Sequence, residues 1–132
     1  MRFASIRYAV PPLLLALAAC DGGTDSPGPQ GGDYDAILQS PNGAEAAAHL
    51  ELTGGGIQSV QSATAYLASS AVNGGQRVVI LRQQPGTLEF RVRMEDGFGP
   101  PDVRVLEVAA PDDQPRASLS GYSVAFTRVA GQ

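Results

Sequence analysis

The chain has 132 residues, 13 acidic residues and 9 basic residues, which are all arginine, and its formal net charge is −4. This length fits one domain, and an acidic chain lacks the clustered basic side chains that nucleic-acid binding requires. The single cysteine, Cys20, excludes an internal disulfide. We therefore expect one small acidic domain that does not bind nucleic acid.

Residues 1–19 have the pattern of a secretory signal peptide. Arg2 and Arg7 make the start positive, and residues 9–19 form the apolar run AVPPLLLALAA. That run is shorter than the roughly 20 residues that a transmembrane helix needs, and it ends on small residues, as cleaved leaders do. The pattern predicts export and removal of residues 1–19.

The last four residues of this region, Leu17-Ala18-Ala19-Cys20, resemble the lipobox of bacterial lipoproteins. In that family a diacylglyceryl group is attached to the cysteine thiol, and the chain is cut just before the cysteine. The resemblance implies cleavage between Ala19 and Cys20, lipidation of Cys20, and a location in the bacterial cell envelope, on the periplasmic or surface face of a membrane. Two acyl chains are enough for stable anchoring, so a membrane is the expected partner of Cys20.

Residues 20–33 predict a flexible tether. After Cys20 the segment reads DGGTDSPGPQGGD and carries no apolar side chain. Such a segment cannot offset the entropy lost on ordering, so we expect it to be disordered. A flexible chain of this length spans about 20 Å, which would lift a domain at residues 34–132 clear of the lipid headgroups.

Turn signals at short, regular spacing, including Gln84-Pro85-Gly86, divide residues 34–132 into segments of strand length. The clearest strand is 87–95, TLEFRVRME, where apolar and charged residues alternate strictly. Further strands are predicted at 34–39, 65–69, 77–82, 103–109 and 122–129. No helix is long enough for a parallel crossover, so the prediction is an all-β antiparallel β-sandwich, jelly-roll, immunoglobulin-like or cohesin-like, with about 7–8 short strands.

One segment is ambiguous. Residues 45–52, EAAAHLEL, are rich in helix formers, but they also alternate and lie between two glycine-bearing turns. We predict a strand, with a short helix as the alternative. The predicted core is Phe90, Phe126, Tyr122, Leu88, Val79 and Leu81.

The order of elements between residues 46 and 126 resembles a shortened cohesin-type sandwich. The features that carry this resemblance are AAAHLEL before a glycine-bearing turn, RVVIL before a Pro-Gly turn, and the strand TLEFRV. Cohesins bind protein partners, dockerins above all, and some lie on cell surfaces. The resemblance implies a protein partner for the folded domain.

Groups that could carry catalysis are sparse. Nucleophilic catalysis by serine needs a histidine base, and the only histidine, His49, is predicted on the solvated face beside Glu51. A zinc site needs three or four ligands, and one histidine and one lipidated cysteine cannot supply them. Asp112 and Asp113 could bind calcium, but we interpret them as solvated turn residues. We expect no enzyme activity, no cofactor, no metal and no small-molecule substrate.

Three side chains are candidates for protein interaction. Arg91 and Arg93 point outward and would form a basic patch with Arg77, Arg82 and Arg104 if their strands were neighbours. A mixed charged face, balanced by Glu89, Glu95 and Glu107, is the favoured alternative. Phe98 lies in the Gly/Pro-rich segment 97–101, either exposed at its tip or folded back onto the core.

Two functions compete at this point. The first is a membrane-anchored lipoprotein whose non-catalytic domain serves protein interaction or a structural role. The alternative is a periplasmic or cell-surface inhibitor lipoprotein that acts on a hydrolase through the exposed loop 97–101. The sequence motifs do not identify a protein partner for either function.

Overall fold

The computed structural model describes residues 28 and 30–131. The predictions for residues 1–19, for Cys20 and for most of the tether lie outside the described residues. Within the described part the protein is built of eight strands and contains no helix long and apolar enough to cross a membrane. The strands are β1 (Gly32–Gln39), β2 (Glu45–Thr53), β3 (Ile57–Gln61), β4 (Tyr66–Val72), β5 (Gly75–Gly86), β6 (Glu89–Met94), β7 (Asp102–Ala109) and β8 (Ser123–Arg128).

The strands form two four-stranded antiparallel sheets that pack face to face. Sheet A has the order β3-β6-β1-β8 and sheet B the order β4-β5-β2-β7. This arrangement confirms the predicted antiparallel β-sandwich. Every connection except the β4–β5 hairpin passes from one sheet to the other, so the chain itself ties the two layers together.

The sandwich has two distinct ends. We call the end at which residues 30–32 lie the N-terminal end; the loops 54–56 and 95–101 lie there too, because Gly32 is opposite Met94 and Met94 opposite Ile57. The other end, which we call the far end, carries the loops 40–44, 62–65 and 110–122. Side chains at the two ends are therefore separated by the length of the strands.

The core lies between the sheets and follows from the alternation of the strands. Along most of β1, β2 and β6 every second side chain is buried, and burying a Leu, Val, Phe or Met side chain contributes roughly 1.5–3 kcal/mol. The ring of Phe90 meets that of Phe126 edge to face, with 6.4 Å between centroids. The buried cluster comprises Tyr34, Ala36, Leu38, Ala48, Leu50, Leu52, Val78, Ile80, Leu88, Phe90, Val92, Met94 and Val108.

The predicted core was partly right. Leu88 and Phe90 are buried, and Tyr122 and Phe126 are partly buried against the same cluster. Val79 and Leu81 were wrongly placed, since they are 44% and 45% exposed on the outer face of sheet B. The four central residues of RVVILR are all apolar, so the two faces of the strand look alike in the sequence. The sequence therefore does not indicate which face is turned to the core.

The ambiguous segment 45–52 is a strand, as predicted, and forms the centre of sheet B. Strand β3, IQSVQ, was not predicted because its polar residues give no apolar stripe. The turn predicted at 84–86 was wrong, because β5 continues to Gly86. Between Glu45 and Ala47 the register with β5 is irregular, and a strand accommodates a proline such as Pro85 at such an irregularity.

Candidate functional surfaces

A buried carboxylate organises the far end of the sandwich. Glu45, at the start of β2, is only 1% exposed. Its Oε1 accepts hydrogen bonds from Ser40 Oγ at 2.6 Å and from the Tyr122 hydroxyl at 2.5 Å, and its Oε2 accepts one from Arg116 Nε at 3.1 Å. Asn42 Nδ2 in turn donates to the Tyr122 oxygen at 2.9 Å. We call Ser40, Asn42, Glu45, Arg116 and Tyr122 the Glu45 cluster.

The donors around Glu45 decide its charge state. Burial by itself disfavours the carboxylate, but the hydrogen bonds from Ser40, Tyr122 and Arg116 and the positive charge of Arg116 outweigh it, so the pKa of Glu45 lies below its ordinary value. An ionised carboxylate with all its donors supplied by the protein is a poor proton acceptor. Its hydrogen bonds instead have a structural role, because they hold the loops 40–44 and 110–122 against the start of β2.

Sequence reasoning missed this cluster. Alternation along β2 assigns Glu45 to the outer face, together with Ala47, but Glu45 and Ala46 are both buried. The register irregularity between Glu45 and Ala47 turns the carboxylate inward. The strand also contains His49 and Glu51, so no feature of its sequence distinguishes Glu45 as the buried acid.

Arg91 and Arg93 lie on the outer face of sheet A, and each is paired with an aspartate of β1. Arg91 Nε is 2.7 Å from Asp35 Oδ1, and Arg93 Nη1 is 3.7 Å from Asp33 Oδ1. The hydrogen bond and charge of Asp35 raise the pKa of Arg91. This face is thus a row of neutralised pairs, and both guanidinium groups are accessible only as parts of those pairs.

The other three arginines of the suggested patch lie on sheet B. Arg77 and Arg104 flank Glu51 and contact its two carboxylate oxygens at 3.2 Å and 3.0 Å, while Arg82 Nη1 donates to the Thr87 carbonyl at 2.8 Å. The structure therefore does not bring the five arginines together. Both faces are of the mixed kind, but the balancing acids are Asp33, Asp35 and Glu51 and not Glu89, Glu95 and Glu107.

Phe98 lies at the N-terminal end, in the loop between β6 and β7. Its side chain is 40% exposed, and its ring covers Gly55, where an added Cβ would come within 2.8 Å of Phe98 Cε1. Gly56, with φ +80°, leaves room for the rest of the ring. Phe98 is thus half folded back, onto the β2–β3 turn and not onto the central core.

Among the described residues, the most exposed of the large apolar side chains lie on the outer face of sheet B. Tyr66, Val79 and Leu81 are 71%, 44% and 45% exposed, and the register places Ala47 and Ala68 beside them. We call these five residues the apolar outer face. A contiguous apolar patch on a soluble domain often marks a contact with another molecule.

His49 lies at the border of the apolar outer face. In the register its neighbours are Val79 on one side and Glu107 on the other, which agrees with its predicted place on the outer side of the strand. Three open depressions of about 620, 710 and 350 Å³ lie elsewhere on the described surface, and His49 lines none of them. The hydroxyls in the first depression, those of Ser62 and Thr64, therefore have no imidazole beside them.

Asp112 and Asp113 form a turn after β7. Asp112 Oδ1 accepts a hydrogen bond from the Gln114 amide at 3.2 Å, and Asp113 adopts φ +64°, a conformation that aspartate tolerates well. Within residues 28 and 30–131 there is no group of three or more His, Cys, Asp or Glu side chains that could hold a metal ion. Asp112 thus contributes to the turn through its carboxylate, and Asp113 contributes through its backbone.

Comparison of the chain with protein-family models, with curated proteins and with solved structures finds no match.

Proposed function

We propose that this protein is a lipid-anchored lipoprotein of the bacterial cell envelope, and that its β-sandwich is a non-catalytic module for protein interaction or for a structural role. One observation carries the proposal. The motif Leu17-Ala18-Ala19-Cys20 ends a leader with a positive start and an apolar run of the right length. A small sandwich placed after a short polar tether is the arrangement that such an anchor would display.

The residues before β1 are held at one end of the sandwich, which would be the end nearest the anchor. Tyr34 and Arg128 hold the last residues before β1: the Tyr34 hydroxyl donates to the Gln30 carbonyl at 3.0 Å, and Arg128 donates to Gln30 Oε1 at 2.9 Å and to the Gly31 carbonyl at 3.0 Å. The tether predicted from the sequence would then run from Cys20 to about residue 29. A flexible segment of that length would span about 17 Å and would keep the N-terminal end of the sandwich closer to the bilayer than the far end.

The apolar outer face supports the interaction role. It lies along the side of the sandwich, so a tethered module leaves it open to other proteins in the same compartment. The non-catalytic part of the proposal is supported by the setting of His49, because the imidazole lies beside Val79 and Glu107 and not beside a hydroxyl nucleophile.

The inhibitor function is the second candidate, and one observation favours it: Phe98 is 40% exposed in a Gly/Pro-rich loop. Its position at the N-terminal end argues the other way, because the proposed anchor would turn that loop toward the lipid. The cohesin-type resemblance stays a prediction about the class of partner.

The first test is the covalent state of Cys20. We expect the mature protein to begin at Cys20, to lack residues 1–19, and to carry acyl chains that are visible by mass spectrometry and by labelling with radioactive palmitate. Cys20→Ser should abolish the label, because serine lacks the thiol to which the lipid would be attached. Ser26→Ala, a change in the same tether, should leave labelling and cleavage as in the wild type.

The outcome decides the anchor directly. An unlabelled wild type, a wild type that keeps its leader, or a label that survives in Cys20→Ser would each overturn the proposal. Fractionation alone is weaker, since an uncut leader also holds a chain at the membrane.

A further inference from the structure

The edges of the two sheets are not equally protected. A strand at the edge of a sheet presents unpaired backbone N–H and C=O groups, and proteins block such edges with charges, bulges, short strands or covering segments. The sandwich has four edges, β3 and β8 in sheet A and β4 and β7 in sheet B. Their differences indicate which one is open to another strand.

Three of the edges carry such a device. Strands β7 and β8 approach each other across the sandwich, with backbone positions within 8 Å, and β7 is further covered by the bridge between Ala109 and Pro115. The edge of β7 is also charged, through Asp102, Arg104 and Glu107, and is irregular opposite His49 and Leu50. Strand β3 has only five residues and a register irregularity after Ile57.

The fourth edge, β4, has none of these devices. Its sequence YLASSAV contains no charge and no proline. It is seven residues long, it pairs with β5 without interruption from Tyr66 to Val72, and five of its seven residues are exposed. It is a neutral, regularly paired edge strand, and no other described strand pairs with its outer side.

We propose that β4 pairs antiparallel with β4 of a second copy of this chain, about a two-fold axis at Ser69, so that the two copies of sheet B form one continuous sheet. The axis follows from the side-chain faces. Residues opposite each other in an antiparallel pair must point to the same side of the sheet, so the axis passes through a residue and not between two. With Ser69 at the axis, all seven residues are paired.

This register is self-complementary. Tyr66 lies opposite Val72 of the second copy, Leu67 opposite its Ala71, and Ala68 opposite its Ser70, each pair occurring twice. Aromatic side chains opposite β-branched ones are favourable cross-strand pairs. Because β4 carries no charge, the two-fold axis brings no like charges together, which is the usual obstacle to pairing a strand with itself.

The apolar outer face favours a second copy of this chain, and not a strand of another protein, as the partner of β4. Foreign segments added to a sheet edge are selected by pockets for their alternate side chains, but the outward residues in the middle of β4 are Ala68 and Ser70 and none of the three depressions is lined by β4. Pairing of two copies would instead extend one apolar outer face into the other across the seam. The inference concerns the folded part alone and does not depend on lipidation of Cys20.

Introducing a charge at Ser69 tests the proposal. In the full chain, held in a mild detergent, we expect sedimentation equilibrium to show a dimer for the wild type. Ser69→Lys and Ser69→Glu each place like charges opposite one another at the axis, so each should raise the dissociation constant of the dimer by at least about tenfold. An equimolar mixture of the two variants should form a heterodimer, because opposite charges then meet.

The controls separate the seam from general effects of charge and detergent. Ser123→Lys and Ser123→Glu make the same changes at an exposed serine on the β8 edge and should leave the dimer intact. Thermal unfolding of the Ser69 variants checks that each sandwich is folded. A monomeric wild type, a dimer that survives both Ser69 variants, or a mixture of them that stays monomeric would overturn the proposal; a monomeric wild type would leave β4 to a strand of another protein.

Discussion

Two arginine–carboxylate pairs, one at the far end and one on the outer face of sheet A, differ in burial and in distance. The pair with the shorter distance is the more exposed one. The pair of Arg91 and Asp35 is the shorter, at 2.7 Å, but its side chains are 40% and 50% exposed. The pair of Arg116 and Glu45 measures 3.1 Å, and its side chains are 25% and 1% exposed. Two exposed charges are solvated by water whether or not they pair, so their pairing adds little stability. A buried carboxylate is shielded from water, and its charge is stabilised only by its partners in the protein. The comparison teaches that burial, and not separation, decides which pair the fold needs.

The Glu45 cluster is also the more connected of the two. Its members come from the β1–β2 loop, from β2 and from the β7–β8 loop, so it links segments that are 71 and 77 residues apart along the chain. Within the described residues no buried side-chain nitrogen or oxygen lacks a hydrogen-bond partner. Removing one donor from this cluster therefore creates an unmatched group in a fold that otherwise has none.

The largest effect is expected from Arg116→Met. The methionine keeps much of the volume of the arginine stem but leaves the Glu45 carboxylate without its counter-charge, which should lower the free energy of unfolding by about 3 kcal/mol. Urea denaturation followed by circular dichroism measures it. Arg104→Met is the matched control, since Arg104 pairs with Glu51 at 3.0 Å but is 69% exposed, and it should cost less than about 1 kcal/mol. Equal losses in the two variants would refute the argument from burial.

The second effect is a dependence on pH. The pKa of Glu45 is lowered in the folded protein from its ordinary value of 4.5, so its ionised form contributes stability that is present above that value and is lost as the pH falls through the folded pKa. Glu45→Gln keeps the shape and removes the charge, and at neutral pH it should cost about 2 kcal/mol, the scale of hydrogen bonds to a charged group.

The pH series then separates charge from shape. The difference in stability between the wild type and Glu45→Gln should shrink as the pH is lowered from about 7 to about 3, because the wild-type carboxylate is increasingly protonated. Denaturation midpoints at a series of pH values measure this. A difference that stays constant over the whole range would show that packing, and not the charge of Glu45, is what the glutamine disturbs.

The contrast between these regions also shows what the sequence could predict. The sandwich was predictable because strands such as TLEFRVRME alternate strictly, and the outward positions of Arg91 and Arg93 followed from the same alternation. The error at Val79 and Leu81 arose where the strand is apolar on both faces. The Glu45 cluster could not be predicted, because a register irregularity turns Glu45 inward and its partners are distant in the chain. Local periodicity predicts faces, but it does not predict irregularities or which loops meet.

The smallest effect is expected from Arg91→Gln, the change that breaks the shorter of the two pairs. Both side chains remain hydrated when the pair is lost, and salt already screens them from each other. We therefore expect the urea midpoint of Arg91→Gln to coincide with that of the wild type within experimental error, at low and at high salt. Asp35→Asn, which breaks the same pair from the other side, should behave alike. If either variant were destabilised as much as Arg116→Met, the outer face of sheet A would have a structural role that its exposure does not suggest, and distance would have to be weighed again beside burial.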